Sequence, residues 1–459
     1  LAPVIAIVAG LLHAASLAAP WDQQPHGWLQ LIALGALAAL ARSSSAPLRG
    51  AFLGWMFATS WLCATFWWMY VAMATYANLP APVAALAILS LAALLSLYYA
   101  FAIAAFVALQ PRSGWGAAVL FAALWLSAEL ARGVWFTGFG WGAAGYAHID
   151  GLARFARYVG AYGVAFLVAL IAGMMAFWLI GRARLKQVLM PVLAVVLAAT
   201  MAWLTASYTR AVGTLSVALL QGNIAQDVKF QPGTGVVDAL RWYGQQLSIA
   251  SASLVVAPET AIPLLPQDLP PDYWIKLRDL YAQRDQAALF GIPLLGANGG
   301  YTNSVMALYG DPASSDNPPY RYDKHHLVPF GEFIPPMFRW FTDMMQIPLG
   351  DFNRGAVGQA SFAWKGQMLA PNICFEDLFG EELARRFTVA EKSPTIFVNV
   401  SNIGWFGNTV AIDQHLHIAR MRALEFERPF IRATNTGDTV IIDHEARVTH
   451  ALPRYTRGV

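Results

Sequence analysis

Three residues far apart in the chain carry side chains that complement one another chemically. Glu259 lies in VVAPETAIP, Lys324 in YDKHHLVPFGEFIP and Cys374 in LAPNICFEDL. A thiol becomes a useful nucleophile only beside a base or a cation, because the thiolate is the reactive form. A carboxylate can take that proton and return it later to a leaving group. An ammonium beside the reacting carbonyl stabilises the developing oxyanion. Each residue also has an ordinary reading. A single cysteine after a strand is more often structural, Glu259 could cap a helix, Lys324 could be a surface charge, and His325 and His326 could be polar loop residues.

The elements around these residues favour the chemical reading. Cys374 closes a short apolar segment and turns into EELARRF, so backbone N–H groups at a helix start would favour thiolate and oxyanion. Glu259 sits at the tip of the apolar strand SLVVAPET, and Lys324 opens a loop punctuated by Pro and Gly. Strand tips and loops are where sites are built on α/β sheets.

From residue 211 onward the hydrophobic pattern alternates short apolar runs with amphipathic stretches. Strands are expected at LSVALL, SLVVAPET, LFGIPLL and residues 302–309, 367–374, 395–400, 430–434 and 439–443. Helices are expected over 236–251, 272–285, 381–391 and 413–427, the last stopped by Pro429. Buried strands alternating with such helices argue for an α/β layered sandwich. His415 and His417 are two apart on a helix and do not share a face, which argues against zinc; no phosphate loop is present.

Composition divides the chain. It is 57% hydrophobic and 12% charged, against about 25% charged for an ordinary soluble domain. Residues 1–210 contain ten Lys and Arg and three Asp and Glu, a net charge of +7; the remainder, with twenty and twenty-four, carries −4. The overall +3 is therefore no signature of nucleic-acid binding, since the basic residues lie between apolar spans. Cys63 and Cys374 are the two cysteines and make no disulfide framework; Cys63, inside WLCATFWW, reads as a packing residue.

Seven spans are expected in a multi-pass α-helical membrane domain, at residues 1–20, 28–41, 51–70, 83–110, 115–131, 162–180 and 187–206. Loops with Arg42 and Arg49, with Arg112, and with Arg182, Arg184 and Lys186 alternate with loops lacking Lys and Arg. This places the N-terminus in the cytoplasm and the polar half outside, although Arg154 and Arg157 fall on the outer side. The loop GVWFTGFGWGAAGYAH reads as an interfacial aromatic belt or a re-entrant segment, and Glu129 and Arg132 as an ion pair. No repeat or ionisable pathway points to transport.

APETAIP, KHHLVPFGEFIP, NICFED and NVSNIGWFGNT, in that order, resemble the carbon–nitrogen hydrolase (nitrilase) superfamily. With seven spans and FTGFGWGAAGY before them, the chain resembles one membrane-bound branch closely, the apolipoprotein N-acyltransferases. The resemblance implies an αββα sandwich over 211–459 and a catalytic triad on Glu259, Lys324 and Cys374. It further implies supporting glutamates at Glu332 and Glu376, an oxyanion donor in the Phe375 N–H, and pocket positions at Asn223, Phe230, Asn303 and Trp405. Three departures stand out. Ile403 replaces an expected aspartate, which bears on that loop's hydrogen bonding. Phe230 stands where tryptophan is common, and the family's closing membrane helix does not follow Val459, as if the chain were trimmed there.

What the resemblance implies is acyl transfer from a phospholipid, through a Cys374 thioester, to the α-amine of a diacylglyceryl-cysteine at a lipoprotein N-terminus. The protein would be a monomer of the bacterial inner membrane with its catalytic domain in the periplasm, using neither metal nor organic cofactor. FRWFTDMM, residues 338–345, could open toward lipid or pack in a core. The alternatives are a membrane-anchored amidase or nitrilase with water as second nucleophile, and a non-catalytic lipoprotein-binding protein indifferent to Cys374→Ser.

Overall fold

A long apolar run can satisfy its backbone groups inside a bilayer only as a helix, and the first part of the chain is a series of such runs. The computed structural model describes residues 1–181, 200, 207–296, 299–310, 319–334 and 352–459. They form two compact units: Leu1–Tyr208 with Asn408–Glu427, and Thr209–Gly407 with Arg428–Val459.

In the first unit, three helices are long and apolar enough to cross a membrane: Ala81–Leu109, Gly114–Thr137 and Leu152–Ile180. The apolar helices Ala2–Leu17, Gly27–Arg42 and Pro47–Phe66 pack among them. Proline opens several of these helices, where its missing N–H is harmless. The span expected at 187–206, apart from residue 200, and the segment 338–345 lie outside the described residues.

Glu129 and Arg132 are buried on the same helix but bond elsewhere. Arg132 donates to the Tyr99 hydroxyl at 2.9 Å and the Trp141 carbonyl at 2.8 Å, while Glu129 accepts from the Ala144 N–H at 2.9 Å. The two charges of the expected ion pair attract each other without a direct hydrogen bond, and their bonds go instead to the helix Ala81–Leu109 and to the loop that follows Arg132. That loop has two parts: Trp135 and Phe136 are exposed, whereas Trp141 and residues 143–147 are buried.

The helix Ala411–Phe426, sequentially part of the second half, packs in the first unit. Gln414 accepts from the indole N–H groups of Trp68 (3.0 Å) and Trp141 (2.8 Å). His417 Nδ1 lies 3.1 Å from the Leu17 carbonyl, Arg422 donates to the Tyr146 hydroxyl at 2.9 Å, and Arg157 pairs with Glu427 at 2.9 Å.

The second unit has two sheets. The first holds β1 (Val217–Leu219), β2 (Leu254–Val256), β3 (Ala287–Leu295), β4 (Tyr301–Tyr309) and β5 (Arg321–Asp323), in that order. β1, β2 and β3 are parallel; β4 and β5 return antiparallel. The second sheet runs from β6 (Phe362–Trp364) through β7 (Gln367–Ile373), β8 (Ile396–Ser401), β9 (Phe430–Thr434) and β10 (Val440–Ile442) to β11 (Val448–Ala451). Within it β7, β8 and β9 are parallel.

One apolar core lies between the sheets, where Val256, Leu289 and Val305 meet Ile373, Val398 and Ile431. Another lies beneath the helices Gly235–Ile249 and Pro271–Ala282, through Tyr243, Leu247, Leu277 and Tyr281. The layered α/β reading therefore describes this unit. The helix expected over 381–391 is broken into Gly380–Ala384 and two 3-10 turns. β-Branched Thr388 and Val389 weaken its continuation, and Arg386 turns back to donate to the Pro371 carbonyl at 2.6 Å.

Candidate active site

The parallel strands deliver their C-terminal tips to one place. Glu259 follows β2, Cys374 follows β7 and Asn402 follows β8; Lys324 follows β5, whose strand runs antiparallel to β4.

Lys324 Nζ lies 2.9 Å from Glu332 Oε1 and 3.4 Å from Glu259 Oε1, and the ammonium is buried. Burial alone would lower its pKa; Glu332, Glu259 and Cys374 together outweigh that and raise it, so the side chain is a cation throughout the neutral range. Asn303 on β4 lies between the two carboxylates, its Nδ2 donating to Glu259 Oε1 at 2.6 Å and Glu332 Oε1 at 2.8 Å. Glu332 Oε2 accepts from the Val328 N–H at 2.9 Å. Lys324 and Asn303 therefore share two carboxylates in one connected cluster, with Glu259 Oε2 completed by the Asn402 N–H at 2.8 Å.

Cys374 has φ +55, a left-handed conformation that costs a non-glycine residue roughly 1 kcal/mol or more. Its carbonyl accepts from Asn399 Nδ2 at 2.8 Å, which helps hold the turn. Burial and the nearby Glu259 charge push its thiol up to about 12, while the Lys324 ammonium and the Ser401 hydroxyl pull the other way. The sulfur is thus a protonated thiol at rest.

Glu376 is buried and accepts four hydrogen bonds: from the N–H groups of Ile373 (2.7 Å), His325 (2.6 Å) and His326 (3.1 Å) and from the Tyr322 hydroxyl (2.7 Å). Burial raises its pKa despite those donors. It ties the chain after Lys324 to the turn that begins at Cys374, which is a positioning task. The Phe375 ring lies 5.6 Å from the Lys324 ammonium. His326 stacks on Phe379 and contacts Glu382 at 2.9 Å, and His325 Nδ1 lies 2.7 Å from the Gly355 carbonyl, so both histidines are occupied in the loop.

Phe230 and Trp405 stack with ring centroids 6.3 Å apart and are 48% and 39% exposed, leaving an accessible aromatic pair. Asn223 stands apart from the carboxylate cluster in its bonding. It has φ +45 and bonds the Tyr455 carbonyl at 2.8 Å through its side chain. Ile403 is buried, and the loop's bond to Glu259 comes from the preceding backbone N–H of Asn402. Asn402 also donates through Nδ2 to Gln226 at 2.8 Å, and Asn435 donates to Asn402 Oδ1 at 3.2 Å. Sequence reasoning missed Asn402 and Lys229. The SN pair after a buried strand and the basic residue before Phe230 were the available signals.

The two-sheet body that carries this cluster is of the carbon–nitrogen hydrolase class. Residues 216–459 match the family model Carbon-nitrogen hydrolase. Residues 9–174 match the model Apolipoprotein N-acyltransferase N-terminal domain. A Verminephrobacter eiseniae protein named apolipoprotein N-acyltransferase is 58% identical, over 99% of this chain and 87% of its own length. Proteins of the same name from Ralstonia nicotianae and Bordetella bronchiseptica are 43% and 39% identical, over 94% and 100% of this chain and 82% and 90% of theirs. An amidase of the nitrilase superfamily from Nesterenkonia is 15% identical over 55% of this chain and 91% of its own, at TM-score 0.38. The chain belongs to the apolipoprotein N-acyltransferase family, the membrane-bound branch of the carbon–nitrogen hydrolases.

Proposed function

We propose that this protein transfers a fatty acyl chain from a phospholipid to the α-amine of a diacylglyceryl-cysteine at a lipoprotein N-terminus, with Glu259, Lys324 and Cys374 as the catalytic triad. The observation that carries the reading is the buried Glu259–Lys324–Glu332 cluster beside Cys374 in a chain whose near-full-length relatives bear the acyltransferase name.

Glu259 takes the Cys374 proton as the sulfur attacks the ester carbonyl. The oxyanion forms beside the Lys324 ammonium and the Phe375 N–H. Collapse breaks the ester C–O bond, Glu259 returns the proton to the departing lysophospholipid oxygen, and a thioester remains. The lipoprotein amine then attacks the thioester carbon and gives a proton to Glu259. The C–S bond breaks, and Cys374 recovers the proton. Glu332 and Asn303 hold Lys324 and Glu259 in place, Glu376 holds the Cys374 turn, and Phe230 with Trp405 offers an apolar wall for an acyl chain. Asn223 braces the turn before that wall.

The apolar helices fit substrates whose chains lie in a bilayer. The charge pattern of the loops supports a bacterial inner-membrane setting with the second unit in the periplasm. Incubation with phospholipid followed by mass spectrometry of the Cys374 peptide tests the reading. An acyl adduct that persists until a lipopeptide amine is added, and that is absent in Cys374→Ala, is expected. Immediate release of free fatty acid from wild-type protein would favour a hydrolase instead.

A further inference from the structure

Behind Glu259 lies a second lysine that the steps above do not use. Lys229 is in the turn that follows β1, within residues 226–230, and is completely buried. Its Nζ donates to the main-chain carbonyl of Glu259 at 3.1 Å. The turn itself is pinned: the Lys229 N–H donates to the Ala225 carbonyl at 3.0 Å, and a Cβ added at Gly235 would come within 2.0 Å of the Val228 carbonyl oxygen. Gln226, in the same turn, bonds Asn402, whose N–H bonds the Glu259 carboxylate. One turn therefore grips Glu259 twice, at its backbone directly and at its side chain through Asn402.

We propose that Lys229 is a positioning residue for Glu259, fixing its main chain through the carbonyl so that the carboxylate is held toward Lys324 and Asn303. The inference rests on the reading of Glu259 as the base that deprotonates Cys374. A buried ammonium is costly unless it is matched, and the group facing it is Glu259. The other charged or titratable groups facing Glu259 are Lys324 and Glu332 from the loop after β5 and the Cys374 thiol after β7. Burial lowers the Lys229 pKa while the Glu259 charge opposes that fall.

The test uses the full chain in detergent and reads alkylation of Cys374 by iodoacetamide, by mass spectrometry, across the pH range. Lys229→Met removes both donor and charge, Lys229→Gln keeps a donor without charge, and Lys229→Arg keeps the charge. In Met and Gln variants the alkylation rate is expected to fall about tenfold across the range, because the charged donor to the Glu259 carbonyl is lost. The Arg variant should stay near wild type. A Met or Gln variant that melts like wild type and keeps the wild-type profile would overturn the proposal; if Met does not fold, the Gln and Arg pair decides. Glu259→Gln, run alongside, separates the two readings. An unchanged alkylation profile in that variant removes Glu259 as base. Loss of phospholipid acyl adduct in wild type, with alkylation still dependent on Lys229, removes acyl transfer and leaves the positioning role standing.

Discussion

Lys324 illustrates how much of the site is electrostatic arrangement. Two carboxylates converge on one buried ammonium. Removing the cation leaves like charges facing each other without compensation, a loss of about 3–5 kcal/mol for broken buried pairs. Lys324→Met is therefore expected to abolish the acyl adduct and to lower the melting temperature, whereas Asn303→Ala should reduce the adduct rate with a smaller loss of stability. Calorimetry and adduct mass spectrometry distinguish the two. Cys374 supplies a pH signature. Its thiol is raised from the ordinary 9.0 to about 12, so its contribution to stability is complete below pH 9.0 and is lost as pH rises toward 12. The melting-temperature difference between wild type and Cys374→Ala should accordingly shift against wild type between pH 9.0 and 12, and stay flat below. Glu259, Lys324 and Cys374 were legible because each is a reactive type placed after a recognisable apolar strand or in a Pro- and Gly-marked loop. Asn402 was not, since it serves Glu259 with a backbone N–H that any residue other than proline could supply. Lys229 was hidden by its burial, which one sequence does not reveal for a lysine beside an exposed Phe230.

At the scale of elements, strand tips and close backbone contacts set the geometry. Gly291 on β3 lies flush against Glu259: a Cβ there would come within 2.6 Å of the Glu259 Cα and 2.5 Å of the Thr260 N. Both neighbours are main chain and cannot swing away. Gly291→Ala should displace the Glu259 tip, reducing Cys374 acylation at least about tenfold, with a stability loss of about 1–3 kcal/mol as for other overpacked sites. Single-turnover acylation alongside thermal melts checks that split. The longer strands and the helices were readable from their periodicity, as β3, β4 and the helix Gly235–Ile249 show. β5, β6 and β11 were not, because these short strands include charged or polar residues or stand outside the longer apolar runs that marked β1, β2 and β10. The strand order also escaped, since parallel pairing joins segments distant in sequence and depends on the helices between them.

For the whole molecule, the helix Ala411–Phe426 matters most. Its period marked it as a helix, but nothing in that period said that Gln414, His417, Arg422 and Glu427 would find partners at Trp68, Leu17, Tyr146 and Arg157. A fragment of residues 209–459 would lack all four partners. Trypsin is expected to cut that fragment after Arg420 or Arg422 far faster than it cuts the complete chain, as peptide mass mapping would show. Equal protection in both would mean that the helix does not depend on the first unit.

β8 and β9 are adjacent parallel strands, and the crossover that joins them runs through the helical unit. The hydrolase body is therefore not a bead that a single gene fusion could string onto a lipid anchor. Exchanging it for a soluble cousin would need junctions at 208/209, 407/408 and 427/428, and the insert between the last two would have to be tailored to the apolar helices that receive it.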